Sequence, residues 1–193
     1  MTTFYICRHG QTENNAHQRL SGWLDTPLTE EGVHNAKSSA TKLKGAVIDR
    51  IISSDLGRAF ATAYIITREL GISTEIERAK ELREINYGDL ANQPLSAHPK
   101  LSPGDNAVHQ HPNGESLVQM QQRVVNFITL LASNDPDQST LLVAHDGTIK
   151  ALRASFMQQN IGIVDLSSNP YDFVGKFTVD SGKIVSFDEL PAK

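Results

Sequence analysis

The chain has 193 residues, enough for one α/β domain with a real core and too few for more than two very small ones. Its 18 basic and 22 acidic side chains leave a net charge of −4, which argues against a nucleic-acid binder with a basic stripe. With 39% hydrophobic and 21% charged residues the chain is too apolar to be disordered and too polar for a membrane protein.

No apolar run approaches the roughly 20 residues that span a bilayer. Met1–Arg8 has no basic segment followed by a long apolar one, so no secretory signal is expected and a cytoplasmic location is. Cys7 is the only cysteine, which excludes an intrachain disulfide and leaves a structural zinc site without its usual thiolates.

In chain order, Thr3–Cys7 is short, β-branched and aromatic, as a buried strand is. Thr29–Leu43 follows as a helix, with Thr29 as N-cap and Glu30 and Glu31 in the first turn. Val47–Ser53 is the next strand, and Ala59–Leu70 a helix stopped by Gly71. Ser73–Ile76 is a weak strand. Between Gly88 and Gly114 no periodicity is visible, and Pro94, Pro99, Pro103 and Pro112 interrupt it; such a stretch suits a partly ordered lid. Ser116–Ala132 is a long amphipathic helix, Thr140–Ala144 an all-apolar strand of the parallel-sheet kind, and Ile149–Met157 a helix. Phe173–Val179 and Lys183–Leu190 flank Asp180-Ser181-Gly182 and read as a closing hairpin. That hairpin is either an edge for pairing two copies of the chain or simply the end of the sheet.

Strands alternate with helices, so the fold class is α/β: three layers, α/β/α, around a mostly parallel sheet. Residues 1–193 are expected to form a single domain, with 89–115 as its one short lid insertion. Ligands in such sheets bind beyond the carboxyl ends of the strands. That rule selects Arg8-His9-Gly10, Ser54–Arg58 and His145-Asp146-Gly147. Two arginines and two histidines on one rim of an acidic protein make an anion site, because the guanidinium fork matches phosphate oxygens and histidine serves as nucleophile, base or cation. No Gly-x-Gly-x-x-Gly follows the first strand, which counts against a dinucleotide-binding protein.

Arg8-His9-Gly10-Gln11-Thr12-Glu13-Asn14-Asn15 resembles the signature of the histidine phosphatase superfamily, phosphoglycerate mutase-like branch 1. Five further blocks stand in that family's order: Gly22–Gly32, Ser53–Ala63, Leu82–Gly88, Pro112–Ser116 with Arg123, and Val143–Ile149. The resemblance implies that His9 attacks phosphorus and becomes a phosphohistidine, while Arg8, Arg58 and His145 neutralise the phosphate oxygens. It further implies that Glu84 is the general acid and base and that Asn15 donates to the phosphate. Ser21, Gly22 and Asp146 line the same pocket through backbone groups. Glu84 read without the family is a solvated acid paired with Arg83 or another surface cation.

No metal and no cofactor is required on this reading, because the arginines and histidines supply the positive charge. His98, His109 and His111 are read as incidental histidines of a solvated loop rather than a metal-ligand set, and Cys7 as a packing residue. The sequence departs from the family where Asp146-Gly147 replaces two glycines or Gly-Asn, and where Lys150 replaces a common Arg, taken as a surface change. An Asp146 carboxylate turned toward the phosphate would repel it.

The mutases of the branch are longer and carry a basic insertion, whereas Asp89–Asn113 has a single Lys and no Arg. The expected activity is therefore hydrolysis of a small-molecule phosphomonoester. A cofactor-dependent phosphoglycerate mutase, or a non-catalytic phospho-ligand-binding module, are the alternatives.

Overall fold

The computed structural model describes residues 1–162 and 167–191. A six-stranded sheet runs through it in the order β3-β2-β4-β1-β5-β6. The strands are β1 (Thr2–Arg8), β2 (Arg50–Ser54), β3 (Ile76–Ala79), β4 (Ser139–Ala144), β5 (Val174–Asp180) and β6 (Lys183–Glu189). β1 lies parallel to β4, β4 to β2 and β2 to β3, while β5 and β6 are antiparallel. The helices are α1 (Glu13–Ala16), α2 (Glu30–Leu43), α3 (Gly57–Leu70), α4 (Pro103–Val108), α5 (Leu117–Asn134) and α6 (Asp146–Phe156). The expected α/β class and three layers are what is found.

Side chains on a strand alternate between faces, and here both faces are buried. Phe4, Ile6 and Leu142 join one core with Met120, Val124 and Ile128 of α5 and Ile149 and Leu152 of α6. Tyr5, Cys7, Leu141 and Val143 join the other, with Ala40 and Leu43 of α2 and Ala59, Ala63 and Ile66 of α3. A fully buried side chain of this size contributes about 1.5–3 kcal/mol. The sheet's centre is thus the most stable support in the molecule, and the site hangs from it. Cys7 sits inside the second core, where burial pushes its thiol pKa up, so it packs rather than reacts.

The local signals hold where side chains satisfy helix ends. The Thr29 side chain accepts from Gly32 N at 3.0 Å, and Ser116 with Gln119 forms a capping box on α5. Gly71 ends α3 in the left-handed region at φ 69°. Ser181 and Gly182, both at positive φ, turn the hairpin.

Some boundaries differ. The third strand forms over Ile76–Ala79, not Ser73–Ile76, because its register follows pairing with Ile51–Ser54. The second begins at Arg50 rather than Val47; just before it, Asp49 exchanges hydrogen bonds with Ser139 at the head of β4. The sixth helix begins at Asp146, three residues earlier than expected. The stretch 89–115 is not featureless: besides two 3-10 turns (Gly88–Leu90 and Leu95–Ala97) it holds α4, opened by Ser102 as N-cap and Pro103 in the first turn. Among the described residues no helix is long and apolar enough to cross a membrane.

Candidate active site

The carboxyl ends of β1, β2 and β4 are neighbours on one edge of the sheet, and they deliver Arg8 and His9, Ser54 and Arg58, and His145. A cavity of about 260 Å³ opens there, lined by Arg8, His9, Asn15, Ser21, Gly22, Arg58, Glu84 and Asp146, among others. Eight of the nine sequence-selected residues thus face one space. The ninth, His145, is fully buried beneath it, with its ring edge-on to His9 at 5.0 Å between centroids. A larger groove of about 520 Å³ runs along α5 and α6, but valines, glutamines, a serine and an asparagine line it, with no titratable group to do chemistry.

His9 is held in one tautomer. Its Nδ1 lies 2.7 Å from the Gly10 carbonyl oxygen, which only an N–H satisfies, so the lone pair is on Nε2. Arg58 Nε donates to that Nε2 at 3.3 Å. Burial, then the Arg58 charge, with Arg8 adding to them, holds the His9 pKa well below the ordinary histidine value, against the Gly10 carbonyl and Asp146, which raise it. The ring is therefore neutral and nucleophilic at physiological pH.

Burial, Arg58, His9 and Arg8 all push the His145 pKa well below the ordinary histidine value, so its ring is neutral. The Ser54 hydroxyl lies 2.9 Å from Nε2 and accepts from Leu56 N, and Nδ1 is buried with no protein partner. The two arginines thus carry the positive charge of the site.

Arg58 is held by the turn before α2. Its Nη2 donates to Gly22 O at 2.7 Å and its Nη1 to Leu24 O at 3.0 Å. Gly22 sits at φ +52°, a conformation that glycine adopts without strain. Asp25 accepts from the backbone N–H groups of Gly57 and Arg58 and pairs with the Arg58 guanidinium at 3.4 Å, so it caps α3 from a distance. No role for Asp25 is expected from the sequence alone; an acid in a turn preceding a strand-end Arg is the signal the sequence offers. Asp25→Ala should cost about 1–2 kcal/mol of stability through the lost cap and loosen Arg58. Thermal melting with KM for a phosphomonoester checks both.

Asn15 has its Oδ1 engaged by the Thr12 N–H (3.1 Å) and hydroxyl (2.9 Å), in the capping box of α1. The amide is thereby oriented with Nδ2 as its donor. The Ser21 hydroxyl is buried with no protein partner beside it.

Glu84 is not paired with Arg83, which instead makes a bidentate pair with Asp55 at 2.7 and 2.6 Å. Its carboxylate accepts from Ile85 N (2.9 Å) and from Gly147 N (3.2 Å) at the start of α6. Burial raises its pKa above the ordinary value, against those two N–H groups and the Arg58 charge. Its backbone is braced: Trp23 Nε1 donates to the Glu84 carbonyl at 2.8 Å, and Arg123, paired with Glu115 at 2.6 Å, donates to Glu81 and Arg83 carbonyls. The early start of α6 is what brings Gly147 to Glu84. A Cβ on Gly147 would overlap Glu84 Oε1, a mobile tip rather than backbone. Gly147→Ala should therefore leave melting nearly unchanged while costing about 10²-fold in kcat by displacing the acid. Equal loss of stability and activity would contradict this.

Asp146 does not turn its carboxylate toward the site as a free charge. It pairs with Lys150 at 2.7 Å and accepts from Asn169 N and Nδ2, both at 2.8 Å. Burial works to raise its pKa, but Arg8, Lys150 and Asn169 hold it below the usual carboxylate value. Lys150 is consequently not a surface change; it is the counter-ion of Asp146.

One of the three histidines of residues 89–115 differs from the solvated reading. His111 is 3% exposed, with its ring 5.3 Å from His98, 5.2 Å from His109 and 5.2 Å from Tyr87. Burial and its two histidine neighbours lower its pKa to about 4. Among the described residues no group of three or more His, Cys, Asp or Glu is arranged to hold a metal.

Residues 4–174 match the model of the histidine phosphatase superfamily, branch 1. The chain belongs to that family. It is 31% identical over 167 residues, 81% of its own length and 75% of the relative's, to a probable phosphoglycerate mutase GpmB of Yersinia pestis. Among solved structures it is similar to Bacillus stearothermophilus YhfR, with 29% identity, a TM-score of 0.84, and 95% and 94% of the two chains covered. It is also similar to a mycobacterial glucosyl-3-phosphoglycerate phosphatase in complex with VO3, with 27% identity, a TM-score of 0.84, and 99% of each chain covered.

Proposed function

We propose that this chain is a phosphatase that hydrolyses small-molecule phosphomonoesters through a phosphohistidine on His9. The observation that carries this reading is the fixed tautomer of His9: a neutral ring carries its lone pair on Nε2, against Arg58 Nε, at a cavity lined by Arg8, Arg58 and Glu84. In the first step Nε2 attacks phosphorus, the P–N bond forms, and the P–O bond to the leaving group breaks. Glu84, whose pKa is raised by burial, gives its proton to the departing oxygen. Arg8 and Arg58 neutralise the equatorial oxygens, with His145 and Asn15 Nδ2 as further donors. A bound phosphate dianion favours a proton on His145 and opposes its loss from Glu84. In the second step Glu84 takes a proton from water, the water oxygen attacks phosphorus, and the P–N bond breaks to release inorganic phosphate.

Hydrolysis rather than isomerisation is the reading favoured when residues 89–115 are taken as a lid of little charge. From that segment Leu95 lines the cavity, and backbone hydrogen bonds tie the segment to Gln18–Leu20. Asp89–Asn113 contains one Lys and no Arg with which to grip a carboxylate. The mutase reading rests on Arg19, which lines the cavity mouth with its Nη1 on the Asn92 carbonyl at 2.6 Å, and on the name given to the Yersinia relatives. The deciding assay supplies 3-phosphoglycerate with a trace of 2,3-bisphosphoglycerate, alongside p-nitrophenyl phosphate. Phosphate release without isomerisation is expected. Rapid isomerisation without phosphate release would overturn the proposal.

A further inference from the structure

One side of Arg8 is held by a stretch that the proposed chemistry does not use. Arg8 Nη1 donates to the Asn169 carbonyl and reaches Ser168 Oγ at 3.4 Å, and the Tyr171 ring stacks on the guanidinium with Cζ 4.0 Å from its centroid. These three residues precede β5 and lie far from Arg8 in sequence. What holds them in turn is one carboxylate. Asp146 Oδ1 accepts from Asn169 N and Nδ2 at 2.8 Å each, and Oδ2 accepts from Ser168 Oγ at 3.1 Å. Asn169 is buried at 4% exposure, where hydrogen bonds to a charged acceptor are strong and directional. The far end of the stretch is tied separately to α2, by Asp172 with Lys42 at 2.9 Å and Ser38 at 2.8 Å.

We infer that Asp146 is a positioning residue for phosphate binding: its carboxylate sets Ser168 and Asn169, and these set the Arg8 guanidinium against the phosphate. The inference rests on the reading of the cavity as a phosphate-transfer site. It accounts for an acid at a place where the family resemblance leads to glycine, beside a site that must attract an anion. Lys150 offsets the charge, and the lone pairs of the carboxylate are occupied by the stretch it organises.

Coulomb's law and the positioning role predict opposite signs. If Asp146 acted through its charge alone, removing it would tighten the binding of inorganic phosphate. If it positions Arg8, Asp146→Ala weakens inhibition by inorganic phosphate, by about tenfold in Ki. The experiment is a double-mutant cycle of Asp146→Ala with Arg8→Lys, which keeps the charge but loses the fork that meets Asn169 and Ser168. Inhibition of p-nitrophenyl phosphate turnover by inorganic phosphate is the readout, with melting temperatures alongside.

The expected result is that Asp146→Ala raises Ki in the wild-type background and changes it by less than about twofold in Arg8→Lys. Asp146→Asn, which still accepts from Asn169 N, should recover most of the loss. Should Asp146→Ala fail to fold, Asn169→Ala in the same cycle carries the test, with a smaller loss that also vanishes beside Arg8→Lys. Tighter phosphate binding, or equal losses in both backgrounds, would overturn the inference. Wild-type protein that neither turns over substrate nor binds phosphate would instead overturn the reading of the site, before any variant is made.

Discussion

Replacing His9 with alanine is expected to lower turnover of p-nitrophenyl phosphate by at least about 10⁴-fold, the scale of loss when a covalent nucleophile is removed. The second histidine does not reach into the cavity to take its place. His145 is buried beneath it, and its Nε2 is engaged by the Ser54 hydroxyl. The two arginines remain charged and are not nucleophiles. Phosphate binding should survive, because Arg8 is held by Asn169 and Tyr171 and Arg58 by Gly22, Leu24 and Asp25, none of which needs the imidazole. Steady-state kinetics and inhibition by inorganic phosphate on the same sample separate the two effects. Residual turnover above about a tenth of wild type would mean that phosphoryl transfer does not pass through this ring.

The second large effect belongs to Glu84→Gln, and its size should depend on the leaving group. An alkoxide needs a proton as it departs, so an alkyl phosphate should lose about 10²–10⁴-fold. Nitrophenolate leaves without one, so the first step with p-nitrophenyl phosphate should be little changed. The second step still needs a base, so the variant should release about one nitrophenolate per enzyme in a burst and then stall. The pH dependence follows from the raised Glu84 pKa. The acid must be protonated to act, so kcat/KM for an alkyl phosphate is retained below that pKa and falls as pH rises through it. Glu84→Gln should lose this alkaline limb. His9 contributes no limb near neutrality, because its pKa lies well below the ordinary histidine value. A burst absent in the variant, or an alkaline limb that persists in it, would remove Glu84 from the role.

Much of this site was legible because its residues lie at strand ends, and strands are what apolar runs reveal best. Arg8, His9, Arg58 and His145 follow Thr2–Arg8, Arg50–Ser54 and Ser139–Ala144 directly or by a few residues, so the sheet rule found them. What was not legible is set by tertiary contact. The neutrality of His145 comes from burial beside two arginines, which periodicity does not report. The partner of Asp146 is Lys150 one helical turn on, visible only once the helix is known to start at Asp146. Asn169 and Tyr171 precede β5 and touch Arg8 across more than 160 residues of chain. The solvated reading of His111 failed for a similar reason: proline-rich sequence hid its packing against Tyr87. The Ser102-Pro103 start of α4 was the overlooked local signal.

The central claim is a covalent bond between phosphorus and His9 Nε2. The direct measurement is to mix Glu84→Gln protein with a phosphomonoester, quench in alkali, where phosphohistidine survives, and map the phosphoryl group by mass spectrometry. One phosphoryl group on the peptide containing His9, absent when His9 is also replaced, is the predicted result. Phosphate release by the wild-type chain with no phosphoryl group on His9 in the trap, or with equal label in the variant lacking His9, would contradict the mechanism.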